Sequence, residues 1–221
     1  GVAHEINNPI NGIINYAQLI LNRAEVGTRE AEISQRIIKE GDRVASIVRE
    51  LLHFSREEST ETHVVAIRNV LDEVISLIGV QLRKEHVHLD ITVQKDLPCI
   101  ESRSHQIEQT FLNIISNALH ALREKYEGPD PGKTLEISAE RAVVNGKSMV
   151  RILFRDYGNG IQNELLKRVL NPFVTTKPAG VGTGLGLSIT HEILKKHGGT
   201  IQIDSQAGEY TLVTVDLPAK E

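Results

Sequence analysis

The chain has 221 residues, of which 40% are hydrophobic and only 4% aromatic, and it contains no tryptophan. This length and apolar content predict one large or two small domains with mostly aliphatic cores. The net charge of −4 and the lack of a basic stripe interleaved with aromatic residues argue against nucleic acid as the main partner.

The only cysteine, Cys99, cannot form an internal disulfide, which is typical of proteins from a reducing compartment. No run of apolar residues approaches the length of a membrane span. A helix that carries His4 should begin before Gly1. We therefore expect a cytoplasmic fragment of a longer protein, whose upstream region carries the sensor and any membrane anchor.

Two amphipathic helices are predicted at the start of the chain. Residues 1 to about 25 place apolar side chains on one face, and Gly27 is typical of a helix stop. A second helix, from about residue 30 to residue 56, repeats apolar residues every three or four positions. Such a hairpin cannot bury both stripes alone, so we expect a homodimer in which two hairpins form a four-helix bundle. Packing of the hairpin against the rest of its own chain is the alternative.

The first helix carries a candidate nucleophile close to its start. The neutral imidazole of His4 can attack phosphorus, and the adjacent carboxylate of Glu5 can take its other proton. Asn8 lies one turn further along the same face, and Pro9 favours a bend. Taken alone, His4 has an alternative interpretation as a solvated surface residue.

The C-terminal part predicts an α+β fold. Residues 57–62 are polar and lack apolar periodicity, so we place a linker at 59–65 between domains at 1–58 and 66–221. Helices are predicted at 67–83, 104–124 and 185–196. Strands are predicted at 86–93, 134–144 and 148–155, followed by a closing strand pair within 204–218. This order predicts an α/β sandwich with a mixed sheet and helices on one face.

Part of a candidate nucleotide pocket lies on the predicted helix at 104–124 and after the predicted strand at 148–155. Asn113 and Asn117 project from one helical face, where amide oxygens suit a hard cation. Surface or capping roles are their alternative. Asp156 can accept a hydrogen bond from the amino group of adenine, while Gly158 and Gly160 let the backbone approach a flat ring.

A lysine and a glycine-rich segment complete the pocket. Lys177 supplies positive charge, and residues 178–182 are expected to continue as a flexible lid over the phosphates. The glycine-rich segment exposes backbone N–H groups before a helix whose N-terminus favours phosphate; its members are Gly180, Gly182, Thr183, Gly184, Leu185 and Gly186. It is neither a dinucleotide fingerprint nor a P-loop, and alone it could be a hinge. The four elements in this order predict a site for a purine nucleoside triphosphate and its metal.

These motifs resemble those of the sensor histidine kinases, whose ATP-binding domain shares a superfamily with type II topoisomerases and an ATP-dependent chaperone. The similar segments are H-E-I-N-N-P (4–9, H box), N-I-I-S-N-A (113–118, N box), D-Y-G-N-G (156–160, G1 box), N-P-F-V-T-T-K (171–177, F box) and G-T-G-L-G-L-S (182–188, G2 box). Tyr210 departs from the pattern, since the family usually has glycine there. His120, where many members have lysine, is similar to the nitrogen-regulation and dicarboxylate-sensing subgroup.

The resemblance implies a phosphotransferase that uses ATP and Mg²⁺. It implies His4 as the phosphoacceptor, Glu5 as its base, and a phosphatase role for Asn8 on a response regulator, whose receiver-domain aspartate would accept the phosphoryl group. It also implies that Asn117 ligates Mg²⁺, that Asn113 and His120 belong to the nucleotide site, and that Lys177 neutralises the γ-phosphate. Two rivals remain: a serine-directed kinase or ATP-driven clamp on the same fold, and a nucleotide-binding scaffold that does not phosphorylate itself.

Overall fold

The structure, a computed structural model, describes residues 2–25, 27–55, 61–177 and 182–220. Within the helices, the side chains of residues 2–8, 42–43 and 45–55 lie outside this description. The chain divides into two compact units, the first formed by residues 1–59 and 171–186 and the second by residues 60–170 and 187–221. Each unit has its own secondary structure.

The first unit contains two long helices, α1 (Val2–Leu21) and α2 (Arg29–Ser55), which pack against each other. A Cβ atom added to Gly41 of α2 would lie 2.5 Å from Cγ1 of Ile14 in α1. Glycine therefore allows a close approach of the helices at this point. The turn between them uses Gly27 with φ +87°, and Oγ1 of Thr28 accepts the N–H of Ala31 at 3.3 Å, which caps α2.

Only part of the apolar surface of this hairpin is buried. Ile10 and Ala17 are buried, whereas Ile13 and Ile20, which belong to the apolar residues of this helix, are exposed in the single chain. The large apolar residues that remain 38–70% exposed are Ile13, Tyr16, Leu19, Ile20, Ile33, Ile37 and Val44. Two helices share only one interface, so a wide apolar stripe on each leaves a second surface uncovered.

The second unit is built on a seven-stranded sheet. Its strands are β1 (His63–Val65), β2 (His88–Val93), β3 (Cys99–Ser102), β4 (Thr134–Val144), β5 (Lys147–Asp156), β6 (Thr200–Gln206) and β7 (Tyr210–Lys220). The order is β1-β3-β7-β5-β4-β2, and β6 also pairs with β7. The β2–β4 pair is parallel and the other pairs are antiparallel. The sheet is therefore mixed, as predicted.

Helices α3 (Ile67–Lys84), α4 (Ser104–Lys125) and α6 (Gly186–Lys196) supply the other layer, and a short helix, α5 (Asn163–Leu166), follows β5. Alternate residues of β4 and β5 are fully buried, and they join buried side chains of α3, α4 and α6 in one aliphatic core. The rings of Phe111 and Phe154 meet there at 5.2 Å between centroids. The predicted α+β class, with helices on one face of the sheet, is confirmed.

None of the helices in the described ranges has the length and apolarity needed to span a bilayer.

The structure corrects several predicted elements. Strand β1 occupies the end of the predicted linker 59–65, so the sheet begins three residues before the predicted boundary at residue 66. Its partner, β3, was not predicted either. Strand β2 starts at His88 because His86 has φ +55° and the N–H of Val87 donates to the carbonyl of Leu82. Helix α1 ends at Leu21 instead of near residue 25. Strands of three or four residues have too few alternating positions to produce a periodic signal.

The core around α4 yields a stability prediction. Phe111→Ala should lower the free energy of unfolding by about 3–5 kcal/mol, because it removes a fully buried ring and leaves a cavity. Leu77→Ala on the exposed face of α3 should change it by less than about 0.5 kcal/mol. Urea unfolding followed by circular dichroism measures both. Equal effects would contradict the assignment of Phe111 to the core.

Candidate functional site

Helix α4 presents the two predicted amides on one face. Asn113 and Asn117 are half-buried and lie one turn apart. Nδ2 of Asn113 donates to Oγ1 of Thr190 at 3.4 Å, and Thr190 is fully buried in α6. This bond ties the first amide to the neighbouring helix and so restrains its orientation.

His120 continues the same region of α4 and is also half-buried. Its Nε2 lies 3.3 Å from Oε1 of Glu124, and its Nδ1 lies 3.5 Å from Nη2 of Arg123. His120 therefore lies between a carboxylate and a guanidinium, two residues after the predicted N box.

Asp156 is the last residue of β5, and it is only 5% exposed. Its Oδ1 accepts the N–H of Gly158 at 3.0 Å. Burial raises the pKa of Asp156 to about 7, against the opposing effects of the Gly158 N–H and the positive charge of Lys125. A carboxyl group that titrates near neutral pH is typical of a functional position.

The turn that follows Asp156 packs directly on α4. A Cβ atom on Gly158 would lie 2.6 Å from Cβ of Ala121, so only glycine fits between the turn and the helix. Ala121 lies one turn after Asn117 on α4. The contact of Gly158 with Ala121 therefore brings Asp156, at the end of β5, to the helix that carries the two amides. Gly160 has φ +62°, and a Cβ atom there would overlap the carbonyl oxygen of Gln206.

Hydrogen bonds from the backbone and from the Ser205 side chain attach the turn and the residue after it to the β6–β7 hairpin. The N–H of Ile161 donates to Oγ of Ser205 at 2.8 Å, and this hydroxyl donates to the carbonyl of Tyr210 at 2.6 Å. The N–H of Gly208 donates to the carbonyl of Asn159 at 2.6 Å. The turn at 156–160 is thus held between a helix and a hairpin.

Tyr210, which stands in place of the usual glycine, lies on the far face of the sheet. Its ring centroid is 4.7 Å from the guanidinium carbon of Arg155, and its hydroxyl donates to Oδ2 of Asp204 at 2.7 Å. Arg155 also lies 5.1 Å from the ring of Tyr157. Because Arg155 and Asp156 are consecutive strand residues, their side chains point to opposite faces. The Tyr210 ring is therefore directed away from the buried carboxyl.

The segment 171–186 belongs to the first unit and has tight internal contacts. The N–H of Phe173 donates to the carbonyl of Gly184 at 2.9 Å, and a Cβ atom on Gly184 would lie 2.6 Å from the Phe173 carbonyl carbon. A Cβ atom on Gly182 would lie 2.8 Å from Oγ1 of Thr175 and from Cβ of Lys177. These two glycines therefore allow the two arms of the segment to close on each other.

The other predicted residues of this segment lead into α6. The N–H of Leu185 donates to Oγ1 of Thr183 at 3.3 Å, and Gly186 is the first residue of α6. Gly180 and the rest of 178–181, where the lid was predicted, lie outside the described residues.

The predicted H box lies on α1. His4, Glu5 and Asn8 have helical backbone, and Pro9 lies inside the helix, while the side chains of residues 2–8 lie outside the described part.

Two contributors to the turn were missed by sequence reasoning. Lys125 contacts the 156–160 turn, and Ser205 contacts Ile161, the residue directly after it, although Ser205 is 44 residues from Ile161 and Lys125 is 32 residues from Tyr157. No spacing rule connects positions so far apart. Only the pairing of β6 with β7 and the packing of α4 bring them to the turn.

Comparison with known protein families matches two parts of the chain. Residues 102–221 match the model described as histidine kinase-, DNA gyrase B-, and HSP90-like ATPase, which covers more than half of the chain. Residues 1–60 match the His Kinase A (phospho-acceptor) domain.

Among curated proteins, the chain is 31% identical over 218 residues to the sensor histidine kinase ZraS of Escherichia coli (strain K12). The match covers 99% of this chain and 44% of ZraS, so the chain spans less than half the length of that relative. Among solved structures, ShkA in complex with AMPPNP has a TM-score of 0.70 at 23% identity, covering 100% of this chain and 45% of ShkA. ThkA in complex with the response regulator protein TrrA has a TM-score of 0.68 at 24% identity, covering 99% and 60%.

The close approach at Gly160 can be tested with a matched pair. Gly160 and Gly208 both have positive φ, +62° and +84°, so alanine at either position incurs the left-handed backbone penalty of roughly 1–2 kcal/mol. Only at Gly160 does the new methyl group meet another backbone, since nothing lies within 4 Å at Gly208. Gly160→Ala should therefore lower the thermal unfolding midpoint clearly further than Gly208→Ala. Equal midpoints would argue against this packing.

Proposed function

The chain belongs to the sensor histidine kinases of two-component systems, and from this membership we propose that it binds ATP, transfers the γ-phosphoryl group to His4, and passes that group to an aspartate of a response regulator. The observation that carries this proposal is the packing of the Asp156 turn on α4, which brings a buried carboxyl to the helix with the two amides. We assign phosphotransfer and dimerisation to residues 1–58 and nucleotide binding to residues 66–221, together with strand β1.

Asp156 and the glycines after it suit the base of the nucleotide. The ionised carboxylate accepts a hydrogen bond from the exocyclic amino group of adenine, a contact that guanine cannot supply at the same position. One oxygen of Asp156 is restrained by Gly158, which keeps the carboxyl in place before the base arrives. The absence of side chains at Gly158 and Gly160 lets backbone and ring come into contact.

The phosphates and their metal are assigned to α4 and the segment 171–186. In this assignment Lys177 neutralises γ-phosphate charge. The backbone N–H groups that favour phosphate lie at the positive N-terminal end of α6; they belong to Gly182, Thr183, Gly184, Leu185 and Gly186. Amide oxygens are hard ligands, and Mg²⁺ takes few protein ligands because it keeps waters and substrate phosphates. Asn117, supported by Asn113, fits that role, and the described residues contain no cluster of three or more His, Cys, Asp or Glu for a metal. Bound Mg²⁺ would offset the negative charge of the phosphates.

His4 is the proposed acceptor. One ring nitrogen forms a bond to the γ-phosphorus as the bond from that phosphorus to the bridging oxygen of ADP breaks, and Glu5 takes the proton from the other nitrogen. Phosphoryl transfer depends mainly on positioning and charge neutralisation, so movement of the nucleotide-binding domain is a natural point of control. In the second step the nitrogen–phosphorus bond breaks and an aspartate oxygen of the partner becomes bonded to phosphorus.

The partner is proposed to be the receiver domain of a response regulator. This follows from the match to the phospho-acceptor domain, and the structurally similar ThkA was solved with a response regulator protein. Asn8, one helical turn from His4, is assigned to orienting water against the acyl phosphate, which would add a phosphatase activity. We place these reactions in the cytoplasm, with any membrane anchor in a further part of the protein.

The hairpin is proposed to dimerise. Among the described side chains of α1 and α2, seven large apolar ones are between 38% and 70% exposed, and a second copy would cover them in a four-helix bundle. A two-fold axis lets the same surface serve both copies.

Labelling tests the proposed acceptor. With γ-labelled ATP and Mg²⁺, the parent chain should gain label that is lost in acid and survives base, as expected for phosphohistidine. His4→Gln should gain none, while His88→Gln, which changes an exposed histidine of β2, should label like the parent. A filter assay after acid and base treatment measures this.

Three results would contradict this proposal. Acid-stable, base-labile label would indicate a hydroxyl acceptor, as in the serine-directed alternative. Equal label on His4→Gln would remove His4 from the mechanism, and ATP binding without any label on the parent would favour the scaffold.

ATP affinity should also depend on pH through Asp156. Its pKa is about 7 in the free protein, and the carboxylate is the form that accepts from adenine. ATP should therefore bind about ten times more weakly near pH 6 than near pH 8. Asp156→Asn cannot titrate, so its difference from the parent isolates this group from protonation of ATP itself. Identical pH profiles would contradict the role of Asp156.

The contribution of Asp156 to the free energy of unfolding should change with pH in the direction opposite to ATP affinity. Because the folded pKa lies above the ordinary value of 3.8, the stabilising contribution of protonated Asp156 is complete below pH 3.8 and is lost as the pH rises through about 7.

A further inference from the structure

Lys125, the last residue of α4, makes an unusual set of contacts. Its Nζ donates to three backbone carbonyls: that of Tyr157 at 2.9 Å, that of Gly158 at 3.2 Å and that of Glu209 at 3.3 Å. An ammonium group has three N–H donors and no acceptor, so each donor has one carbonyl. The half-buried ammonium is thus held by backbone oxygens.

These carbonyls belong to two different segments. Tyr157 and Gly158 form the turn directly after Asp156, whereas Glu209 lies in the loop between β6 and β7. Oη of Tyr126, the next residue after Lys125, donates to the same Tyr157 carbonyl at 3.2 Å. The end of α4 therefore joins the adenine-side turn to the β6–β7 hairpin through a single cation.

We propose that Lys125 is a positioning residue for the nucleotide base, because it holds the 156–160 turn against α4 and the β6–β7 loop and so sets the place where Asp156 meets adenine. This inference deepens the proposed function and rests on it. The three hydrogen bonds of the Lys125 ammonium go to the turn after Asp156 and to the β6–β7 loop, so we expect its effect on the base side of the nucleotide.

Two physical effects act in the same direction. Charge-assisted hydrogen bonds are roughly twice as strong as neutral ones, and three of them from one group restrain a turn that otherwise contains two glycines. In addition, Lys125 is the charged group that opposes the burial of Asp156, so its removal should raise the pKa of that carboxyl further. The ammonium therefore both places the carboxylate and favours its ionised form.

Substitution of Lys125 tests this with readouts that a purely structural role would not move. Lys125→Met keeps the length of the side chain and removes its donors, and Lys125→Arg restores donors and charge. Lys84→Met is the matched control, since Lys84 is an exposed lysine in the last turn of α3 in the same unit. For each full chain we would measure the dissociation constants of ATP and of inorganic triphosphate, the pH midpoint of ATP binding, and the thermal unfolding midpoint.

Lys125→Met should raise the dissociation constant of ATP on the order of tenfold and change that of inorganic triphosphate by less than about twofold. It should also move the pH midpoint of ATP binding upward. Lys125→Arg should recover part of the ATP affinity, and Lys84→Met should behave like the parent. An unchanged ATP affinity in Lys125→Met would overturn the inference. Equal losses for ATP and triphosphate, together with a lower unfolding midpoint, would also overturn it by assigning Lys125 to general stability.

Failure of the wider proposal has a different signature. If the parent and Lys84→Met both fail to bind ATP, the nucleotide-binding function itself is wrong, and the inference about Lys125 is wrong with it. If both bind ATP and only the response to Lys125→Met differs from expectation, the proposed function stands without this residue.

Discussion

The contact between the turn after β5 and helix α4 is the constraint on which the rest of the site depends. Gly158 lies so close to Ala121 that no side chain fits between them, and Gly160 is equally close to the backbone of Gln206. These two approaches place the end of a central strand between a helix and a hairpin. Asp156, at the end of that strand, is buried as a result. Its raised pKa and its restrained orientation both follow from this packing.

Burial of a carboxyl group is costly unless neighbouring groups compensate for it. At Asp156, the N–H of Gly158 and the positive charge of Lys125 compensate for only part of the effect of burial, so the group has a pKa of about 7. An adenine amino group would complete the hydrogen bonding of the carboxylate. The Asp156 carboxylate is thus only partly hydrogen-bonded by its own fold. A ligand that donates a hydrogen bond to it would therefore bind more tightly.

The two units meet their need for apolar burial in different ways. The second unit closes its core with α3, α4 and α6 on one face of a mixed sheet. The hairpin of α1 and α2 leaves large apolar residues exposed, including Ile13, Tyr16 and Leu19. A two-helix unit with a wide apolar stripe needs a further surface, and this physical requirement supports a dimer.

The sequence by itself determined the long elements and the family of the chain, and it supplied the candidate residues of the proposed site. Helices α3 and α4 follow from many turns of apolar periodicity. The dipeptide Asn145-Gly146 predicts the β4–β5 hairpin, and both of its residues have positive φ in the turn of that hairpin. Motif order pointed to Asn113, Asn117 and Asp156 as candidate site residues. Only the tertiary structure decided the rest: β1 and β3 are too short for a periodic signal and become strands through pairing, β1 with β3 and β3 with β7. The turn contacts of Lys125 and Ser205 likewise join residues more than thirty positions apart, and such contacts depend on how the helix and the strands pack, which no local pattern records.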